Sequence, residues 1–224
     1  DNFSTELTSL QSLEAWADKD VSTYKNLLLN ILLNFLDLRN NNHAKSIRSS
    51  LILLDCLLDG TEKNFTEFVI FLLQMFTKHI TEKTLDSELI AVSILDIISK
   101  VLRISHDNGI KLEIFNDNTS HMKFIDFMVT SISQIDSTLI ITSYVKLLSE
   151  SITYFGKSIF AILLPLITSV IQCIQRFFVL EKKKGGQYQS VSLLIGSVEE
   201  LINVSHSYLT GDENYSYFSG TANR

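Results

Sequence analysis

Five histidines are the first residues of this chain whose side chains could do chemistry: His43, His79, His106, His121 and His206. No two of them have the spacing of metal ligands on one helix, and the zinc motif H-E-x-x-H does not occur. His79 and His106 follow apolar helical turns, where a cation suits the negative end of the helix dipole. We therefore expect surface or helix-end histidines rather than a metal site.

Two acidic residues, Asp55 and Asp96, each fall inside an apolar helical segment. A buried carboxyl has a raised pKa and could act as a catalytic acid, but more often such a residue lies on a polar edge or binds a neighbouring helix. The nucleophile motif G-x-S-x-G and the glycine-rich phosphate loops do not occur. The sequence therefore predicts no enzyme, with no catalytic residue, cofactor or metal.

The basic cluster Lys182, Lys183 and Lys184 is followed by Gly185-Gly186. Lysines at the end of a helix stabilise its dipole, and that is one interpretation. The other is contact with acidic lipid head groups, worth about 1 kcal/mol per lysine, or with a partner protein. These lysines are the candidate site for lipid or partner contact.

Charge and cysteine content narrow the class of protein further. The net charge is −6 and no long basic run occurs, so the sequence does not predict nucleic-acid binding. Cys56 and Cys173 lie in apolar stretches, which favours two buried free thiols over one disulfide. The chain shows no signal peptide and begins at Asp1, so we expect a segment of a larger cytosolic protein.

The elements that must position these residues are helices. One proline and eight glycines in 224 residues are too few for a turn-rich β fold. Apolar residues recur about every 3.6 positions, with Asp20 and Asn64 placed as N-caps. The pattern predicts nine helices, over about 7–18, 21–38, 43–58, 64–79, 84–104, 121–135, 137–154, 158–183 and 190–209. Glycines stand where several of them should end: Gly60, Gly109, Gly156, Gly185-Gly186 and Gly211.

Helix pairs recur at intervals typical of HEAT and armadillo arrays, which repeat at about 40–47 residues. Helices in such arrays are apolar on more than one side, because each pair packs on the pair before it and the pair after it. We predict a single HEAT/armadillo-like α-solenoid over residues 1–211, with a possible sub-boundary at the 105–120 loop and a polar tail at 212–224. A compact all-α bundle is the alternative.

The segment 158–175 has no charged side chain and is long enough for a minimal membrane span. A polar and small-residue stripe at helical steps favours a helix buried among neighbours, with one edge facing solvent, over a transmembrane helix. Pro165 either kinks this helix or lies in the first turn of a later start. The stripe contains Ser158, Ala161, Pro165, Thr168, Ser169, Gln172 and Arg176.

Residues 147–213 resemble the helical region of the Dopey family of large membrane-trafficking scaffolds. The shared features are a long hydrophobic helix, a basic loop, and a helix that carries an LEELL-like step and a histidine. In this sequence they are Leu147 to Gly156, Lys184-Gly185-Gly186, Ser197-Val198-Glu199-Glu200-Leu201-Ile202 and Ser205-His206-Ser207-Tyr208-Leu209.

The resemblance implies a non-enzymatic helical scaffold for protein–protein interaction in protein transport, peripheral on Golgi and endosome membranes. It further implies two partners, a large scaffold related to Arf exchange factors and a phospholipid flippase. The alternative is a HEAT-type scaffold subunit of a nuclear or RNA-processing complex. An all-α enzyme is a third class of hypothesis.

Overall fold

The computed structural model describes residues 18–37, 44–58, 65–82, 84–112, 118–156, 158 and 163–210, and these ranges contain helices but no strand. The chain divides into two compact units, Asp1–Leu58 and Asp59–Arg224. The sequence did not mark a boundary at this point. The predicted single array over 1–211, its sub-boundary at 105–120 and the tail at 212–224 stay predictions.

The first unit contains helices α1 (Asp18–Asp37) and α2 (Ala44–Leu57), which pack against each other. Their buried residues recur at three- and four-residue steps, the spacing that places side chains on one face of a helix. Asp20 lies inside the first turn of α1 instead of capping it, so that predicted cap is wrong. The buried residues are Leu29, Leu32 and Leu36 of α1, Ile47, Leu51 and Leu54 of α2, and Leu58 after it.

The described residues of the second unit form six helices arranged as two rows. In one row α5 packs on α3 and α7, and in the other α6 packs on α4 and α8. The rows are joined where α3 packs on α4 and α7 packs on α8. The helices are α3 (Phe65–Glu82), α4 (Leu85–Asp107), α5 (Asn118–Gln134), α6 (Thr138–Phe155), α7 (Leu163–Lys183) and α8 (Gln189–Thr210).

The α4–α6 contact is the centre of the second unit. Helix α4 buries Ile94, Ile98 and Val101 completely, which explains why its sequence is apolar on more than one side. Tyr144 of α6 is also fully buried, and its hydroxyl donates a hydrogen bond to the Met128 carbonyl of α5. The core therefore contains side chains from helices of both rows. A helix with a single apolar stripe would not supply all of them.

Most predicted helix ends lie within a few residues of the observed ones. Thr84 caps α4 by accepting a hydrogen bond from the Ser87 backbone N–H at 3.1 Å. Gly109 follows α4 with a φ of +64°, and Gly156 follows α6 with a φ of +51°. Both angles lie in the left-handed region that glycine adopts without a steric penalty.

Helix α7 begins at Leu163, five residues after the predicted start, and Pro165 lies in its first turn. The first N–H groups of a helix have no partner within it, so the missing proton of Pro165 breaks no helical bond. Of the two interpretations of Pro165, the later start is confirmed.

Several sequence predictions fall outside the described residues. They are the first helix at 7–17, the cap Asn64, the helix ends at Gly60 and Gly211, and His43. Eight of the nine predicted helices are therefore observed, and the first is untested. After α4, the Leu112 backbone N–H donates to the Tyr154 hydroxyl at 2.8 Å, which ties Leu112 to α6.

Candidate functional site

The predicted lysine cluster lies where α7 ends. Lys182 and Lys183 are in the last turn of α7, Lys184 is in the turn that follows, and all three are exposed. The turn reverses the chain through Gly185 and Gly186, with φ values of +107° and +78°. The three ammonium groups are thus accessible to a ligand, and the two in the last turn also suit the helix dipole.

A buried acid holds this turn in place. Glu181 is 6% exposed, and its Oε1 accepts a hydrogen bond from the Ser190 backbone N–H at 2.9 Å. Ser190 is in the first turn of α8, where backbone N–H groups need acceptors. Glu181 therefore caps α8 from the preceding helix, and the ring of Phe178 stacks on Tyr188 across the same turn at 5.2 Å.

The predicted polar stripe placed Arg176 at a solvent-facing edge, but Arg176 is only half-exposed and binds the end of a neighbouring helix. Its Nη2 donates to the carbonyls of Ile132 and Ile135 at 2.6 and 2.5 Å, and its Nη1 donates to the Ser133 carbonyl. Its Nε lies 3.5 Å from Asp136 Oδ1. The guanidinium thus occupies the C-terminal end of α5, where the last carbonyls have no helical partner.

Helices α7 and α8 share a side that no other described helix of the second unit covers. On α7, Leu164, Ile171 and Phe178 are exposed at seven-residue steps, which places them along one line of the helix. Between α7 and α8 lies an apolar groove of about 290 Å³. It is lined by Ile171, Ile174, Ile195, Val198, Glu199, Ile202 and Asn203.

The same helix, Leu163–Lys183, is long and apolar enough to cross a membrane by length and composition. Only 22% of its apolar window is buried within the described residues. The sequence predicted a helix covered by neighbours on most sides, and α7 instead buries one face. That face consists of Leu166, Val170, Cys173, Phe177 and Glu181.

A second, polar groove crosses α4, α6 and α8, and we call it the row groove. Its volume is about 800 Å³. The Ser149 hydroxyl donates to Glu200 at 2.5 Å and joins α6 to α8 on its wall. Its lining consists of Arg103, His106, Asp107, Lys146, Ser149, Glu150, Thr153, Gly196, Glu199, Glu200 and Asn203.

Glu150 lies half-buried in the row groove. Burial raises the pKa of its carboxyl, Asp107 adds to the rise, and the nearby charges of Arg103 and Lys146 oppose it without cancelling it. Lys146 also binds outside the groove, because its Nζ lies 3.3 Å from Oδ1 of Asp96. The row groove therefore holds a carboxylate whose negative charge is incompletely compensated.

The other predicted candidates are scattered. Asp96 pairs with Lys146 across the α4–α6 contact, in line with the helix-to-helix alternative, and Asp55 is half-buried in α2. His79 is buried at the end of α3, with Nδ1 3.2 Å from Glu82 Oε2, whereas His106 is exposed on the row groove. Within the described residues, no three His, Cys, Asp or Glu side chains are grouped so that they could hold a metal ion.

Both cysteines are free thiols, as predicted, but only Cys173 is buried. Cys56 is exposed on α2, so the prediction of two buried thiols is wrong for this residue. Burial raises the pKa of the Cys173 thiol to about 11, which keeps it protonated and unreactive at neutral pH.

The chain is 62% identical over 219 residues to Protein DOP1 of Saccharomyces cerevisiae. The match covers 98% of this chain but only 13% of that protein, so the chain spans about an eighth of its length. The expected resemblance to the Dopey family is confirmed, and it extends well beyond residues 147–213. No protein-family profile matches the chain, and no solved structure matches it.

Proposed function

Because this chain is a segment of a Dopey-family protein, we propose that it is a non-enzymatic α-solenoid scaffold for protein–protein contacts in Golgi and endosome membrane trafficking. The arrangement of α3 to α8 as two rows supports this proposal most directly. Rows of stacked helices leave long side surfaces accessible along their length, and repeat proteins use such surfaces for binding.

The uncovered apolar side of α7 and α8 also supports a role in protein contacts. Ile195 and Ile202 are 52% and 54% exposed, next to the exposed residues of α7. Contiguous apolar surface of this kind marks interaction sites in soluble proteins. A stacked scaffold accounts for it, because each helix pair in such an array offers one face to whatever packs next.

Fractionation of the full-length protein tests the trafficking role. We expect it to sediment with Golgi and endosome membranes, and we expect an alkaline carbonate wash to release it as a peripheral protein. Enrichment in nuclei would contradict the proposal and favour the alternative of a nuclear or RNA-processing scaffold. Retention in the membrane pellet after the wash would instead contradict peripheral attachment and indicate a membrane-spanning segment in the full-length protein.

The proposed partners follow from the family, and are a scaffold related to Arf exchange factors and a phospholipid flippase. Co-purification from cells that express the full-length protein tests this part. We expect both partners to be recovered with the wild type. Recovery of neither partner would contradict this part of the proposal while leaving the membrane fractionation to be judged separately.

Lys182, Lys183 and Lys184 are the proposed lipid contact at the end of α7. We expect their change to Glu to reduce sedimentation of the full-length protein with vesicles that contain phosphatidylserine. The matched control changes the exposed lysines Lys45, Lys111 and Lys123 to Glu, which alters the net charge equally. Equal loss in both variants, or no loss in either, would contradict a specific contact at this turn.

A further inference from the structure

The row groove is formed by one row of helices alone. Arg103 and Asp107 come from α4, Glu150 from α6, and Glu199 from α8, so the groove runs across all three. Its volume of about 800 Å³ is within the range of sites that enclose a drug-sized ligand, about 300–1,000 Å³. A groove that crosses successive helices of a row fits an elongated ligand better than a compact one.

The charge of the row groove is negative. Four carboxylates line it, those of Asp107, Glu150, Glu199 and Glu200. Two permanent cations oppose them, Arg103 and Lys146, and Lys146 is also paired with Asp96 outside the lining. Charges of this balance attract a cationic segment and repel nucleic acid or an acidic peptide.

At Gly196 the wall of the row groove has no side chain. It lies in the middle of α8, where glycine is less favourable than alanine because it loses more conformational freedom on folding. A Cβ built on Gly196 would have no heavy atom within 4 Å apart from its own stretch of helix, so no internal packing requires the absence of a side chain. A glycine in such a place allows the backbone of a ligand to approach closely.

We propose that the row groove binds an extended, lysine- or arginine-bearing segment of a partner protein, with the backbone of that segment passing over Gly196. The carboxylates of Glu150, Glu199 and Glu200 receive its cationic side chains. The inference rests on the proposed scaffold function and names the surface and the chemistry through which this part of the scaffold holds a partner.

Glu150 explains why the segment should be cationic. A half-buried carboxylate with incomplete compensation gains more from an added cation than an exposed one does, because the groove screens the interaction less than bulk water. The Glu200 carboxylate is already held on the wall of the groove by the hydroxyl of Ser149. The groove is therefore arranged for cations before a ligand arrives.

Binding of model peptides to the purified full-length protein tests the proposal. The probe is a fluorescein-labelled twelve-residue peptide of alternating Lys and Ala, with a Glu-Ala peptide as the comparison, measured by fluorescence anisotropy. We expect saturable binding of the Lys-Ala peptide that weakens with added salt, and no binding of the Glu-Ala peptide. Absence of Lys-Ala binding to the wild type would overturn the proposal.

The decisive variant is Gly196→Leu, which adds a side chain to the groove wall without removing any charge. We expect it to weaken Lys-Ala binding by about tenfold or more, because the side chain occupies the path of the peptide backbone. The matched control is Ser192→Leu, which adds the same side chain at an exposed position of α8 outside the groove lining. Hydrogen exchange of the α8 amides should show the helix intact in both variants.

Charge variants complete the test. We expect the double change Glu150→Gln with Glu199→Gln to weaken binding, whereas Asp86→Asn with Asp126→Asn, at exposed positions outside the groove, should leave it unchanged. Equal binding by wild type and Gly196→Leu, or equal loss in the two charge pairs, would overturn the proposal. Neither outcome affects the membrane fractionation that tests the scaffold function.

Discussion

At the scale of single residues, two charged side chains of α7 stabilise the ends of other helices. Arg176 binds the last carbonyls of α5, and Glu181 binds the first turn of α8. The role of Arg176 could not be predicted from the sequence, because local patterns do not show which residues meet across 41 to 44 positions. The bond of Glu181 spans only nine positions, but it depends on how the turn at Gly185-Gly186 brings α8 back to the end of α7. The lysine cluster could be predicted, since it needs only the end of its own helix.

Replacement of Arg176 should destabilise the second unit. In Arg176→Met the apolar stem remains, but the carbonyls of Ile132 and Ile135 lose a charged donor, and we expect a loss of about 1–3 kcal/mol in the free energy of unfolding. Arg176→Lys should lose less, because one ammonium group can still bind one or two of them. Urea denaturation measures both, and equal stability of Arg176→Met and the wild type would contradict this role.

His79 should make stability depend on pH. Burial holds the pKa of His79 below its ordinary 6.5, although Glu82 raises it. The unfolded chain therefore binds a proton more readily, and stability conferred by neutral His79 is present above about pH 6.5 and is lost as the pH falls toward the folded pKa.

We expect the melting temperature of His79→Gln to fall less than that of the wild type when the pH is lowered from about 7.5 to about 5.5. Thermal melts across that window measure the difference. The pKa of the neighbouring Glu82 is lowered from 4.5, chiefly by its hydrogen bond from Ser87, so Glu82 titrates below this window. Parallel curves for the two proteins would contradict the assignment.

At the scale of elements, a helix end could be predicted where a residue at that end marks it. Gly109 and Gly156 were predicted at helix ends and lie just after α4 and α6. The start of α7 was not, because the uncharged run from Ser158 continues the apolar pattern without a break. Pro165 was the one local sign of the later start.

Thr84 and Ser137 occupy the same N-cap position, before α4 and α6, but bind differently. Thr84 accepts from the backbone of α4, whereas Ser137 makes no cap bond and donates instead to Glu88 Oε2 at 2.9 Å. We expect Thr84→Ala to cost about 0.5–2 kcal/mol and Thr84→Asn to retain most of the stability, because Asn also caps helices.

Ser137→Ala removes a hydrogen bond to Glu88, so the stability that it costs should depend on whether Glu88 is present. We expect Ser137→Ala to have little further effect in a Glu88→Ala background, whereas Thr84→Ala should have its full effect there. Urea denaturation of the single and double variants separates the two cases. Full additivity of Ser137→Ala and Glu88→Ala would contradict the bond across α4 and α6.

At the scale of the whole molecule, the all-helical class could be predicted from composition and periodicity. The sequence could not predict which pairs of helices contact each other, because helices of similar length and apolarity give the same sequence pattern. The same limit applies to the uncovered side of α7 and α8. The sequence of an apolar helix shows the same pattern whether or not a neighbour covers the helix. Ile195 and Ile202 are apolar residues of this kind that are exposed.

Adjacent residues of α8 distinguish core from uncovered surface. Leu201 is 1% exposed and Ile202 is 54% exposed. We expect Leu201→Ala to cost about 2–5 kcal/mol of unfolding free energy, and Ile202→Ala to stay within about 0.5 kcal/mol of the wild type. Urea denaturation of this chain measures both, and a large loss in Ile202→Ala would show that its side is covered.

The stacking of α3 to α8 has a consequence for how the chain is made. Its main contacts join helices that are one or two places apart in order, so each helix needs only its near neighbours to bury its apolar face. A ribosome releases those neighbours in the same order. Each new helix can therefore pack on those already synthesised, and α3 to α8 would not expose all of their apolar surface at once.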